Sequence, residues 1–294
     1  MDVVALFGPT ASGKSAVAEV LADVLGTEIV SADAMQVYRG VPILTNQPTR
    51  PTRLVAIRDL DERMSLAEYA RLAHTAIDEI VAHHGVAVVA GGTGLYLRAA
   101  LAELDVPPTA PAGTRARLER LYDELGPEQA HAVLVERDPA AAAAVHPNDR
   151  RRVVRAMELA ELGASLAPAA SALWTRTYRR PTLLVGVDLD PARLERRIEA
   201  RARMMLAQGA AAEARAAIAR ASKTSRHVIG LEKLASGEAE EEAAIAAIVA
   251  RTRRYAAYQR KWLRRLAPPL VLDGCDPPEA SAQRVLAALA ARTA

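Results

Sequence analysis

The octapeptide Gly8-Pro9-Thr10-Ala11-Ser12-Gly13-Lys14-Ser15 constrains this chain more than any other stretch. It follows Val3–Gly8, a short valine-rich run that reads as a buried strand. It precedes residues 14–25, where Val17, Val20, Leu21, Val24 and Leu25 recur on one helical face. Strand, G-x-x-x-x-G-K-S and helix in that order is the context of a phosphate-binding P-loop. The loop amides and the helix N-terminus face an anion, Lys14 adds a mobile charge, and Ser15 offers a hydroxyl to Mg²⁺. Residue frequencies alone give such a match about once in a thousand chains of this kind. The motif leaves open which phosphate ester is bound and which bond breaks.

The pattern continues in the same manner. Residues 27–33 and 86–92 read as two further strands, and Ser65-x-x-Glu68 opens a helix reaching about His84. Residues 41–63 show no clear period and read as loop. Alternating strands and helices imply a parallel sheet covered on both faces, an α/β core. At Pro107-Pro108 the pattern changes, and helical periods run to about Tyr178 without a convincing strand. Strand character returns at 182–189 and again at 269–274, with long Ala/Arg/Glu helices between and a last helix from about Pro277. The expected organisation is a P-loop core from 1–107, an inserted helical domain from 108–178, and the rest of the core from 179–294.

The 294 residues suffice for one large domain with an insert. No apolar run reaches 18 residues and Met-Asp-Val-Val has no basic stretch, so neither a membrane span nor a secretory signal is expected. The lone Cys275 excludes a disulfide framework and a multi-cysteine zinc site, and a cytoplasmic location is expected. The net charge of +3 hides an uneven distribution. Residues 251–265 carry +7, while 193–220 and 146–180 carry +4 each, leaving −12 for the remainder. Of the basic residues 34 are Arg and only four are Lys, a composition that suits phosphate and that GC-rich codon bias also produces. Convergence of the three segments would mark a polyanion partner; separately, each reads as a solvated helix face.

Ligands of such sheets sit at the carboxyl ends of the strands. The second strand ends at Asp33 and the third at Gly91-Gly92-Thr93-Gly94. By position alone, Asp33 is open to three readings: Mg²⁺ ligand, helix cap or general base. The glycines permit close backbone approach and Thr93 brings a hydroxyl, although a tight turn needs no more.

GPTASGKS, SADAMQVYRG, GGTGLY, HPNDRRRVVRAME (146–158), RIEARARMMLAQG (197–209) and TRRYAAYQRKW (252–262) occur in one order across nearly the whole chain. Together they closely resemble the tRNA dimethylallyltransferase, or tRNA isopentenyltransferase, family. The resemblance implies transfer of a dimethylallyl group from dimethylallyl diphosphate to N6 of adenine 37 beside the tRNA anticodon. Residues 8–15 and Mg²⁺, held by Ser15, would then stabilise departing pyrophosphate, with Arg201 assisting. Asp33 matches the family's general base, and Thr93 a threonine beside the reacting centre. Asp33, Ala34, Met35, Gln36 and Thr93 match the segment that meets the target base, where a Gln amide can pair with an adenine edge. The base must leave its stack to reach such a pocket. Arg115, Arg151, Arg152 and Arg155 match the grip on the anticodon stem-loop, with Arg151 and Arg155 on one helix face. His146 reads as structural or capping. A monomer is expected.

The chain departs from the family at several points. Leu44 and Gln47 replace a small Gly and a Lys, Thr52-Arg53-Leu54 replaces a His-His-Leu pattern, and Leu231 replaces a Tyr. Ala257 and Tyr258 replace a basic pair, and Lys261 a small hydroxyl residue. The donor, the RNA set or the rate could differ accordingly. Three other functions compete: an isopentenyltransferase acting on free AMP, ADP or ATP, a P-loop small-molecule kinase, and a non-catalytic RNA-binding relative. The helical insert argues against the first, since a free nucleotide needs no such surface. The missing nucleoside-binding region argues against the second.

Overall fold

A computed structural model describes residues 1–104, 110–111, 113–166, 175, 177–237 and 240–291. The expected boundary at Pro107-Pro108 lies outside the described residues. The chain forms two compact units, Met1–Glu103 with Arg176–Ala294, and Leu104–Thr175.

The first unit is a five-stranded parallel sheet. Its strands are β1 (Val3–Phe7), β2 (Ile29–Ser31), β3 (Ala87–Gly91), β4 (Thr182–Asp188) and β5 (Leu270–Asp273), in the order β2-β3-β1-β4-β5. Central β1 pairs Val3 with Ala87 on one side and with Thr182 on the other. Alternate side chains enter opposite layers. Val4, Leu6, Val88, Leu183, Val185 and Val187 pack with Val17 and Leu21 of α1 (Lys14–Leu25) and with Ala282 and Val285 of a C-terminal helix over Pro278–Ala290. The opposite layer holds α3 (Leu66–His84) and α4 (Gly94–Leu101), from which buried Tyr69 donates to the Ser31 carbonyl at 2.9 Å. Both faces are thus covered, as a parallel sheet requires.

Two sequence expectations need amendment. Ser65 caps α3 by accepting from the Glu68 amide at 3.1 Å, but Glu68 does not return the bond, because its carboxylate pairs with Arg58. Residues 41–63 are not all loop, since α2 (Pro42–Thr45) forms one helical turn. Its first amides are satisfied from far away: the Glu213 carboxylate accepts from Ile43 N at 3.0 Å and Leu44 N at 2.8 Å. No local pattern announces a cap supplied 170 residues later.

The second unit is helical, with α5 (Thr114–Leu125), α6 (Pro127–Arg137), α7 (Pro139–Ala143) and α8 (Arg150–Glu161). Its core joins Leu118, Tyr122, Leu134, Val145, Val153, Val154 and Met157. Among the described residues, four α-helices of the first unit lie between β4 and β5: α9 (Pro191–Ala207), α10 (Ala210–Ile218), α11 (Leu231–Ser236) and the 26-residue α12 (Glu241–Leu266). Numbered in that order, the C-terminal helix is α13. Among the described residues, no helix is long and apolar enough to cross a membrane.

Candidate active site

The phosphate loop turns out of β1 and into α1. Ala11 holds a left-handed φ of 64° and Gly13 one of 95°. The N-cap of α1 is Gly13, which has no side chain to bond the first amides. Its first amides are therefore available to an anion at the positive end of the helix dipole. The Lys14 ammonium rests on the Pro9 carbonyl at 3.3 Å. Burial lowers Lys14 to about 8, opposed by the Asp33 charge and aided by the Arg201 charge. From α9, Arg201 donates to Thr10 Oγ1 at 2.8 Å, and Arg197 reaches the Ala11 carbonyl at 3.4 Å. Burial lowers Arg201 as well, against the attraction of Asp33.

The ends of β2 and β3 are drawn together. A Cβ on Gly91 would lie 2.1 Å from the Ala32 carbonyl oxygen, so only glycine permits this approach. Asp33 Oδ1 accepts from Met35 N at 2.9 Å, while Oδ2 has no hydrogen bond among the described residues. Thr93 Oγ1 accepts from Ala34 N at 3.1 Å and lies 3.3 Å from the Tyr255 hydroxyl of α12. Burial, and then the Asp33 charge, raise Tyr255, which therefore stays protonated.

Lys14, Asp33, Arg197, Arg201 and Tyr255 border one cavity of about 490 Å³, and Thr93 stands behind its wall against Tyr255. Thr10, Lys14, Ser15, Asp33 and Arg201 give it a polar, cationic end, and Leu44, Ile198, Met205, Val228 and Ile248 give it apolar walls. Helix α12 acts as a ruler along it. Gln259, Tyr255, Thr252 and Ile248 all line the cavity at helical spacing, which spans about 16 Å of helix axis. Gln259 is buried and fixes one end, accepting from Thr10 N at 2.8 Å and donating to the Gly92 carbonyl at 2.8 Å. It fastens the phosphate loop to the end of β3.

Asp33, Arg201 and, from the 8–15 loop, Thr10, Ala11, Gly13, Lys14 and Ser15 therefore share the cavity, whereas Thr93 does not line it and reaches it through Ala34 and Tyr255. Gln36 also borders the cavity, but its amide is engaged internally: its oxygen accepts from Ser31 Oγ at 2.8 Å and its nitrogen donates to the Asn46 carbonyl at 2.8 Å. In this arrangement it shapes the 33–47 segment. Gln259, Tyr255, Arg197 and the apolar wall were not singled out by sequence reasoning. Gln259 had a usable signal, since it is the one amide on the cavity-facing stripe of a strongly basic helix.

The arginines of the helical unit divide in two. Arg115 and Arg155 both converge on buried Glu158, at 3.4 and 3.1 Å. Arg151 and Arg152 are exposed. Arg150, adjacent to them, is paired to Asp123 at 2.6 Å. His146 Nδ1 accepts from Asn148 N at 3.2 Å, closing the turn that leads to α8.

A family model described as IPP transferase matches residues 36–266. A tRNA dimethylallyltransferase of Salinispora arenicola is 42% identical over 90% of this chain and 80% of its own length. The full-length tRNA isopentenylpyrophosphate transferase from Bacillus halodurans superposes with a TM-score of 0.70 at 31% identity, covering 99% of this chain and 96% of that one. A eukaryotic dimethylallyltransferase captured acting on tRNA superposes with a TM-score of 0.76 at 26% identity, covering 94% of this chain and 74% of that one.

Proposed function

The chain belongs to the IPP transferase family and is an enzyme that prenylates tRNA, and from that premise we propose that its donor is dimethylallyl diphosphate and its acceptor N6 of adenine 37 in the anticodon loop. The supporting observation is the single cavity that joins Lys14, Arg201 and the phosphate loop to Asp33 and to apolar walls. A diphosphate and a five-carbon chain ask for those two surfaces side by side.

In this reading the C1–O bond of the donor breaks and its electron pair leaves with pyrophosphate. The N6 lone pair forms the new C–N bond, and the N6 proton passes to Asp33. The adenine amine is a poor nucleophile because its lone pair is delocalised into the ring. Deprotonation as the bond forms removes that obstacle. Asp33 Oδ2 is the accepting atom, because Oδ1 is held by Met35 N. Lys14, Arg201 and the loop amides stabilise charge growing on the leaving group.

Among the described residues, no cluster of three or more His, Cys, Asp or Glu is arranged for a metal ion. Ser15 borders the cavity beside Lys14 and Asp33, and Mg²⁺ is commonly held by one or two protein groups together with substrate phosphates. Ser15 would hold it, and the ion would neutralise pyrophosphate charge. The helical unit, through Arg151 and Arg152 above all, is the proposed grip on the stem-loop. Arg115 and Arg155 contribute by way of Glu158. A monomeric, cytoplasmic enzyme completes the reading.

The test is incubation with labelled dimethylallyl diphosphate and Mg²⁺, offering tRNA or AMP. Label is expected on tRNA at adenine 37. Label on AMP and none on tRNA would replace this reading with a free-nucleotide prenyltransferase.

A further inference from the structure

Helix α12 presents a second stripe, turned away from the cavity. Arg254, Tyr258, Lys261 and Arg265 recur at spacings of four, three and four and share one side of the helix over about 16 Å. All four are exposed. Tyr258 is 53% exposed, among the most exposed large apolar side chains of the protein.

The ring is held in place. It meets Trp262 edge-on, with centroids 6.4 Å apart at 69°. Trp262 is buried and lies so close to the first turn of α4 that a Cβ on Gly94 would sit 2.2 Å from its ring. Gly94 follows Thr93, whose hydroxyl faces Tyr255, three residues before Tyr258. Tyr258 therefore stands on the outer side of the wall that holds the candidate reacting centre.

The charge around it is available. On the same helix, Arg253 pairs with Glu195 and Arg260 with Asp188, while Arg251 donates to the His227 carbonyl. Arg254 and Lys261 make no ion pair among the described residues. A fixed exposed aromatic ring bracketed by unneutralised cations is the surface that single-stranded nucleic acid takes, with a base on the ring and phosphates on the cations. A protein partner would ask for a wider apolar patch, and a paired duplex hides its base faces.

We propose that Tyr258 is a stacking platform for an unpaired base of the RNA substrate, with Arg254 and Lys261 taking the neighbouring phosphates. The inference rests on RNA being the acceptor, and it makes Tyr258 a positioning residue.

The test measures equilibrium binding of an unmodified anticodon stem-loop to the full chain and to its Tyr258→Ala and Tyr258→Phe variants, with prenyl transfer measured in parallel. Tyr258→Ala is expected to weaken binding about tenfold, the equivalent of roughly 1.4 kcal/mol and within the usual range for base stacking. Tyr258→Phe keeps the ring and should stay within about twofold of the parent. The KM for dimethylallyl diphosphate should be unchanged in both. Parent-like binding by Tyr258→Ala overturns the proposal, as does equal weakening in Tyr258→Phe. Binding decides the matter independently of turnover: a parent enzyme that binds the RNA but leaves it unlabelled refutes the proposed reaction and not the platform.

Discussion

Gln259 offers the sharpest test of how the site is assembled. Removing its side chain with Gln259→Ala leaves Thr10 N–H and the Gly92 carbonyl without the partners they have at 2.8 Å each. An orphaned buried polar group costs about 1–3 kcal/mol, so the two together cost about 2–6 kcal/mol at most, less where part-buried Thr10 N–H reaches water. For a protein of this size that lowers Tm by roughly 3–10 °C. Gly92→Ala approaches the same clamp from the other side. A Cβ there would lie 2.3 Å from Gln259 Nε2, displacing the amide and breaking its bond to the Gly92 carbonyl. With Gln259 already truncated, the added methyl has room. The double variant should therefore be about as stable as Gln259→Ala alone, a coupling of about 1–3 kcal/mol in a double-mutant cycle. Calorimetry or urea unfolding of the four proteins measures it. Because Thr10 anchors Arg201, donor KM should rise in both single variants. Additive losses, or a Gln259→Ala protein as stable as its parent, would refute the clamp.

Asp33→Asn keeps the acceptor for Met35 N and removes the base, so transfer should fall about 10²–10⁴-fold while donor affinity changes little; single-turnover rates with donor binding decide it. Lys14 is charged below its lowered value of about 8 and neutral above it, so donor kcat/KM should decline as pH rises through about 8. Lys14→Met should have low kcat/KM throughout and lack that step; a step that survives would assign it elsewhere. In the helical unit, Glu158→Gln leaves Arg115 and Arg155 without their shared counter-charge. The expected loss is about 1–3 kcal/mol by thermal unfolding, less than for a wholly buried pair because both guanidiniums reach solvent.

The parts of the fold that were legible in the sequence were those with local causes. The valine-rich strands, the phosphate loop and the capped start of α3 each follow from a few adjacent residues. Asp33 and Thr93 could be placed near the phosphate because strand ends share one edge of a parallel sheet. What remained hidden depended on distant partners. The turn at Pro42–Thr45 forms under a carboxylate from α10, and Glu68 abandons its own helix cap for Arg58. Gln259 joins two loops separated from it by 249 and 167 residues. No window of sequence contains both halves of such an interaction.

Charge shows the same limit in its most instructive form. Residues 251–265 carry +7 by composition, yet the fold spends part of that charge internally: Arg253 and Arg260 face carboxylates from α9 and β4. In α8, Arg150 and Arg155 are likewise matched by Asp123 and Glu158. A sum over a segment counts these as free, although a paired cation offers a phosphate little until its partner is displaced. Among the described residues, the cations of α8 and α12 left without an ion pair include Arg151 and Arg152 in one unit and Arg254, Lys261 and Arg264 in the other. All are exposed, and Arg254 and Lys261 share one face of α12, where they bracket an aromatic ring. An RNA contact built on them should therefore depend on salt less steeply than the segment charges imply, with a slope set by about four to six phosphate contacts. A slope near the full count of basic residues in these segments would mean that the internal ion pairs open when RNA binds.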